Sequence, residues 1–217
     1  MKLVLVFLFF MISSLPVNSQ YMLETFNKYN TEEVDGKTVM YINGQFGRNF
    51  GMRTIRELYE KKPDVVVLDS LGGMMDEMMM VARYIERNNI SLKVEKTCLS
   101  ACAYMLFFSN DVTIDEDAVV GFHAPFTFNV TTDKTIEQLQ RDFTIYQLRL
   151  IILLLDRGIP PSFTQYLLIR TSRENFAFLN GQESFDEIRY GIYRNLTIST
   201  YTPWQWYKIS LSMTYNK

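Results

Sequence analysis

The sequence predicts a single α/β domain with mostly parallel strands. Short runs of β-forming residues alternate with segments of helical apolar spacing along the chain. Residues 65–68 are four consecutive apolar residues without polar alternation, which is typical of a strand buried on both faces. No repeat, low-complexity tract or Pro/Gly-rich linker divides the 217 residues.

The first half of the chain predicts two strand–helix pairs. Residues 39–43 read as a strand, and residues 53–61 follow as an amphipathic helix that Pro63 ends. Residues 65–68 form the second strand. After a glycine turn, residues 74–85 place their apolar side chains on one stripe of a helix.

The second half continues the alternation. Residues 92–96 alternate as a strand does, and residues 100–108 are almost wholly apolar, which predicts a core helix. Residues 119–122 predict another strand. Residues 134–156 predict a long helix that ends before Gly158.

Composition excludes several classes of protein. The 22 Lys and Arg against 24 Asp and Glu give a net charge of −2, which disfavours a nucleic-acid binder that neutralises phosphates. The hydrophobic fraction of 47% excludes a disordered chain. Two Cys and one His are too few for a structural zinc site, and we expect no cofactor.

The N-terminus predicts export. Met1 and Lys2 precede an unbroken apolar run at residues 3–12, and small or permitted residues lead to a cleavage site after Ser19. We therefore expect residues 1–19 to be a signal peptide and residues 20–217 to be one domain, periplasmic or extracellular. Disulfides can form in such a compartment.

The only histidine is a candidate general base. An imidazole titrates near neutral pH, and His123 stands at the end of a predicted strand, where a loop can present it to a cleft. A surface or core histidine without a catalytic role is the alternative.

Ser100 lies where a predicted strand gives way to an apolar helix, in the sequence Cys-Leu-Ser-Ala-Cys. A serine at this position can be an N-cap, which accepts a backbone N–H from the first helical turn. It can instead be a nucleophile whose neighbouring N–H groups favour developing negative charge. Gly72 and Gly73 follow a buried strand, where a glycine turn can aim N–H groups into a cleft or simply connect strand and helix.

Taken in order, Ser-Leu-Gly-Gly-Met, Cys-Leu-Ser-Ala-Cys and Gly-Phe-His-Ala-Pro resemble the proteolytic subunit of Clp proteases, most closely its exported Clp-like relatives. The resemblance covers about residues 39–192. It implies a Clp/crotonase-type spiral of β-β-α units with a long handle-like helix. It also implies Ser100 as nucleophile, His123 as general base, and the N–H groups of Gly73 and Ala101 as an oxyanion hole.

The third member of the expected triad is ambiguous. The family has an Asp after an Arg, and here Arg173 is followed by Glu174, which is the first candidate to orient the imidazole. Asn175 and Asp186 are the alternatives, and a Ser–His dyad without a third residue is another.

Cys98 and Cys102 bracket the serine two residues away on either side. In an oxidising compartment they can form a disulfide that pins the turn. Two buried free thiols are the alternative.

The resulting expectation is an exported serine hydrolase, a serine peptidase that cleaves peptide or protein substrates through an acyl-enzyme. The handle-like helix implies a homo-oligomer, and no ATPase partner is expected outside the cytoplasm. A catalytically inactive Clp-fold module that binds peptide or assembles a complex is one alternative, and an acyl-CoA enzyme of the crotonase branch is another.

Overall fold

A computed structural model describes residues 27–124, 135–172 and 175–200 of the chain. These residues form one eight-stranded sheet with six α-helices, which confirms the α/β class. The expected signal peptide lies outside the described residues. The strands are β1 (Lys28–Val34), β2 (Lys37–Asn43), β3 (Val65–Ser70), β4 (Ser91–Leu99), β5 (Val112–Ile114), β6 (Val119–Phe122), β7 (Asn175–Phe178) and β8 (Thr197–Thr200). The helices are α1 (Phe50–Lys61), α2 (Met75–Arg87), α3 (Ala101–Met105), α4 (Ile136–Asp156), α5 (Pro161–Arg170) and α6 (Gln182–Ile188).

The sheet is mixed, with a parallel centre. Its strand order is β1-β2-β3-β4-β6-β7-β8, and β5 pairs with the first part of β4. Strands β2, β3, β4 and β6 run parallel, whereas β1 at one edge and β7 and β8 at the other are antiparallel to their neighbours. Because the carboxyl ends of neighbouring parallel strands lie next to one another, the segments that follow β3, β4 and β6 lie side by side.

The central strands and the helix α2 form the core as the sequence predicts. Residues 66–70 of β3 are buried. On α2, the buried side chains recur at helical spacing: Met78, Val81, Ala82 and Ile85. Full burial of a Met, Val or Ile side chain contributes about 1.5–3 kcal/mol.

Other elements differ from the sequence-based expectation. Strand β4 runs to Leu99, so it reaches the residue before Ser100. The apolar segment that follows is a short helix, α3, continued by a 3-10 turn at Leu106–Phe108. Strand β1 was not expected, because it is largely polar and exposed and only its pairing with β2 makes it a strand. In the described part of the chain, no helix combines the length and the apolar character that crossing a membrane requires.

Candidate active site

Three neighbouring parallel strands bring the predicted site residues together. Gly72 and Gly73 follow β3, Ser100 follows β4 directly, and His123 follows β6 directly. Strand β4 lies between the other two in the sheet. Three segments that are far apart in sequence therefore meet at one edge of the sheet.

The hydroxyl of Ser100 faces the imidazole of His123 and not the helix that Ser100 precedes. Its Oγ lies 2.6 Å from Nε2 of His123, within hydrogen-bond distance. No hydrogen bond joins the Ser100 side chain to the first turn of α3. The geometry does not support the N-cap interpretation of this serine.

Ser100 has an unusual backbone conformation. Its φ of 57° and ψ of −125° fall in a region that residues with a Cβ rarely adopt. A conformation of this kind costs on the order of 1–3 kcal/mol and persists only where the surroundings impose it. Here it turns the chain sharply from β4 into α3 and leaves the hydroxyl partly accessible at the turn.

Two features of the chain around Ser100 hold this turn. The Ser100 N–H donates to the carbonyl oxygen of Gly121 at 2.9 Å, which ties the turn to β6. A disulfide joins Cys98 to Cys102, whose Cα atoms are 5.1 Å apart, within the range that a disulfide can bridge. Both cysteines are fully buried.

The segment around His123 is fixed through its backbone. The hydroxyl of Tyr104 donates to the carbonyl oxygen of His123 at 2.7 Å, and the N–H of Ala124 donates to Oγ1 of Thr171 at 2.8 Å. The imidazole packs against the ring of Phe176, with ring centroids 4.5 Å apart. These contacts position the imidazole from α3, from the end of α5 and from β7.

Burial keeps the imidazole neutral at pH 7. Only 3% of His123 is exposed. Desolvation of the charged form lowers the pKa of His123 to about 4, although a backbone hydrogen bond with Ala124 acts in the opposite direction. A neutral imidazole can accept a proton through Nε2, the atom that faces Ser100.

Gly72 lies against the serine turn. Gly72 has a φ of +85°, and a Cβ built on it would lie 2.8 Å from both the Ala101 nitrogen and the Ser100 Cβ. A side chain at position 72 would therefore collide with the turn. The close approach explains why glycine is needed there.

Gly73 pairs with Phe46 in an isolated parallel bridge. The hydrogen bonds of this bridge are made by the groups on either side of Gly73, the Gly72 carbonyl and the Met74 N–H. The N–H of Gly73 is therefore directed away from Phe46. Ala101 is the first residue of α3, so its N–H has no carbonyl partner within the helix.

The candidates for a third member differ in their positions. Glu174 lies outside the described residues. Asn175 begins β7, and because side chains alternate along a strand, it shares a face with Ala177 while Phe176 takes the face that contacts the imidazole.

Asp186 lies in α6, where its exposed carboxylate accepts a hydrogen bond from Nε2 of Gln182 at 3.1 Å. Oε1 of Gln182 accepts a hydrogen bond from the N–H of Ile114. Ile114 is in β5 and pairs with Val94, near the middle of β4. Ser100 follows six residues further along the chain, beyond an irregularity in the pairing of β4 with β3. The hydrogen-bond partner that the structure gives the Asp186 carboxylate is Gln182 and not His123.

The sequence interpretation missed the residues that support the site. Tyr104 is the one residue with a polar group in the apolar segment after Cys102, and that isolated hydroxyl was a usable signal. Thr171 and Phe176 carry no comparable signal, because only the pairing of β6 with β7 and the end of α5 bring them to His123. Among the described residues, no group of three His, Cys, Asp or Glu side chains is arranged to hold a metal ion.

Comparison of the chain with profiles of protein families and with characterised proteins gives no significant match. What the site can do therefore follows from its own geometry.

Proposed function

We propose that this chain is an exported serine hydrolase of the Clp/crotonase type, a peptidase that works through an acyl-enzyme without an ATPase partner. The observation that carries the proposal is the 2.6 Å distance between Ser100 Oγ and His123 Nε2 at the end of adjacent parallel strands. A nucleophile and a base in hydrogen-bond contact are the minimum for this chemistry. The strained turn at Ser100 supports it further, because strain of this kind is concentrated at functional sites.

The reaction begins with Ser100 and His123. Oγ attacks the carbonyl carbon of the scissile bond and its proton moves to Nε2, while the carbonyl electron pair moves to oxygen. The imidazolium then gives the proton to the leaving amine as the C–N bond breaks. Water, deprotonated by the same imidazole, hydrolyses the resulting ester and restores Ser100.

The N–H groups of Gly73 and Ala101 are the proposed oxyanion donors. Gly72 packs directly against Ala101, so the two N–H groups belong to adjoining segments beside Oγ. One such donor contributes about 3–4 kcal/mol to stabilisation of the tetrahedral intermediate.

Peptide is the proposed substrate, because an extended chain can pair with the backbone of the glycine segment. Gly73 is exposed, and one edge of this segment is already occupied by Phe46. A substrate strand would pair with the opposite side of the glycine segment, the side to which the Gly73 N–H is directed.

Homo-oligomerisation through α4 is part of the same proposal. Four exposed apolar side chains follow one another on α4 at spacings of three, four and three residues, as in a helix–helix seam. They are Ile145, Leu148, Ile152 and Leu155.

A catalytically inactive module that binds peptide is the second candidate. The observation that favours it is the low pKa of His123, since an imidazole with a pKa of about 4 is a weak base.

Labelling with a fluorophosphonate probe tests the proposal. We expect the disulfide-bonded chain to be labelled, and Ser100→Ala to abolish labelling while the fold, measured by circular dichroism, is retained. Ser162→Ala is the matched control, because Ser162 is a serine on α5 whose hydroxyl bonds to Tyr193 at 2.7 Å. Wild-type protein that is folded and oxidised but never labelled would favour the inactive module.

A further inference from the structure

The disulfide and the serine turn occupy the same five residues. Cys98 is the next-to-last residue of β4 and pairs in register with Ser70 on one side and Val120 on the other. Cys102 is the second residue of α3. The disulfide therefore joins a fixed strand to the start of the helix across Ser100.

We propose that the Cys98–Cys102 disulfide is a positioning element that holds Ser100 against His123, so that the site is competent only in oxidised protein. That the disulfide affects activity rests on the proposed function. That the disulfide fixes the geometry of Ser100 is independent of the proposed function and can be measured separately.

The backbone of Ser100 needs an external restraint. At a φ of 57° the residue is in a conformation that it would leave if the turn were free. In an extended chain, Cα atoms four residues apart can be separated by roughly 13 Å. The disulfide keeps the Cα atoms of Cys98 and Cys102 at 5.1 Å.

The moving part would be the start of α3. Cys98 is held by two neighbouring strands, so relaxation without the disulfide would rotate Ser100 and the residues after it. A return of φ to negative values redirects the Cα–Cβ bond, and this carries Oγ away from Nε2 of His123. The hydrogen bond from Ser100 N–H to Gly121 would remain, because rotation about the N–Cα bond moves the side chain and the following residues and leaves the N–H in place.

The redox step is an ordinary exchange. A small dithiol gives two electrons and two protons to the disulfide, the S–S bond breaks, two thiols form on Cys98 and Cys102, and the dithiol becomes a disulfide. Because both cysteines are fully buried, reduction requires the turn to open first. The disulfide closes a short loop, so it constrains the unfolded chain little. The domain should therefore remain folded after reduction.

The single histidine allows a direct measurement of the geometry. Protein labelled with ¹⁵N-histidine has one imidazole, and its Nε2 resonance reports the hydrogen bond with Ser100. In oxidised protein we expect Ser100→Ala to shift this resonance. In the variant Cys98→Ala/Cys102→Ala we expect the same Ser100→Ala change to have no effect, because the hydrogen bond is already broken.

Reduced wild-type protein is the second arm, since it keeps both sulfur atoms and lacks only the bond between them. It should behave like the double alanine variant, with native circular dichroism, and its fluorophosphonate labelling should be slower by about 100-fold or more. Reoxidation should restore the rate.

The outcomes separate the two proposals. An equal Ser100-dependent shift with and without the disulfide, or reduced protein that is labelled as fast as labelled oxidised protein, would overturn the positioning role. If the shift depends on the disulfide but oxidised protein is never labelled, the positioning role stands and the proposed hydrolase function fails.

Discussion

Ser100 bonds to His123, 23 residues further along the chain, and leaves the first turn of its own helix without a side-chain cap. A serine before a helix ordinarily stabilises it by about 1 kcal/mol as a cap. At this position that contribution is given up, and a strained backbone conformation is added. Both costs fall on the residue whose hydroxyl bonds to the imidazole, which is the pattern expected of a functional turn.

The first prediction concerns the pH dependence of hydrolysis. Because only the neutral imidazole can accept the serine proton, and the pKa of His123 is lowered to about 4, kcat/KM should stay level from pH 8 to about pH 5 and fall near pH 4. The measurement is the rate on an activated ester across this range. A profile that falls near pH 6.5 would contradict the desolvated imidazole.

The second prediction concerns stability. Above pH 6.5 the imidazole is neutral in both the folded and the unfolded chain, so it contributes nothing. As the pH falls from 6.5 towards 4, the unfolded chain binds a proton that the folded chain does not, and the free energy of unfolding decreases by about 3 kcal/mol. Urea titrations of wild type and His123→Gln measure the difference. A difference between the two proteins that does not change with pH would refute this assignment.

The third prediction uses two glycines with similar backbones. Gly72→Ala should abolish probe labelling, because the new Cβ collides with Ala101 and Ser100. Gly158→Ala is the control: its φ of +71° imposes a similar backbone cost of about 1 kcal/mol, but nothing lies within 4 Å of the new Cβ. It should lose stability and keep labelling. Equal labelling of both variants would show that the close approach of Gly72 is not required.

The fourth prediction concerns Tyr104. Replacement by Phe removes the hydrogen bond to the His123 carbonyl, at a cost of about 0.5–1.5 kcal/mol. We expect slower labelling, since the backbone of His123 loses one of its supports. Tyr59→Phe, on an exposed tyrosine of α1, should change neither stability nor labelling. Unchanged labelling of Tyr104→Phe would remove this tyrosine from the positioning of His123.

The fifth prediction concerns the third member of the site. Glu174→Gln should reduce turnover by about 10⁴-fold if its carboxylate orients the imidazole, whereas Asp186→Asn should have no effect, because that carboxylate is exposed and bonded to Gln182. Turnover of a generic ester or peptide at pH 7–8 measures both, with Asn175→Ala alongside. Near wild-type turnover of Glu174→Gln would indicate a dyad or another orienting group.

Much of the fold was predictable because it depends on local periodicity. The continuous apolar run of β3 and the stripe of α2 identify a buried strand and a packed helix from sequence alone. Strands β1, β7 and β8 were not predictable in this way. They exist through pairing, with the adjacent segment of the chain for β1 and with a segment far back in the chain for β7. Their short or polar sequences lack the apolar periodicity that identifies a strand.

The chemical groups available to the site can be identified without coordinates: one histidine, a serine after a strand, a cysteine on either side of that serine and a glycine pair after another strand. The sequence also indicated that these residues lie at or near the ends of strands, since runs of β-forming residues stop before them. Two further properties depend on the folded chain: Ser100 bonds to His123 instead of capping its helix, and burial lowers the pKa of the imidazole. The reason is physical: hydrogen bonding and desolvation depend on groups that meet through the parallel pairing of β3, β4 and β6, and those groups are far apart in the chain.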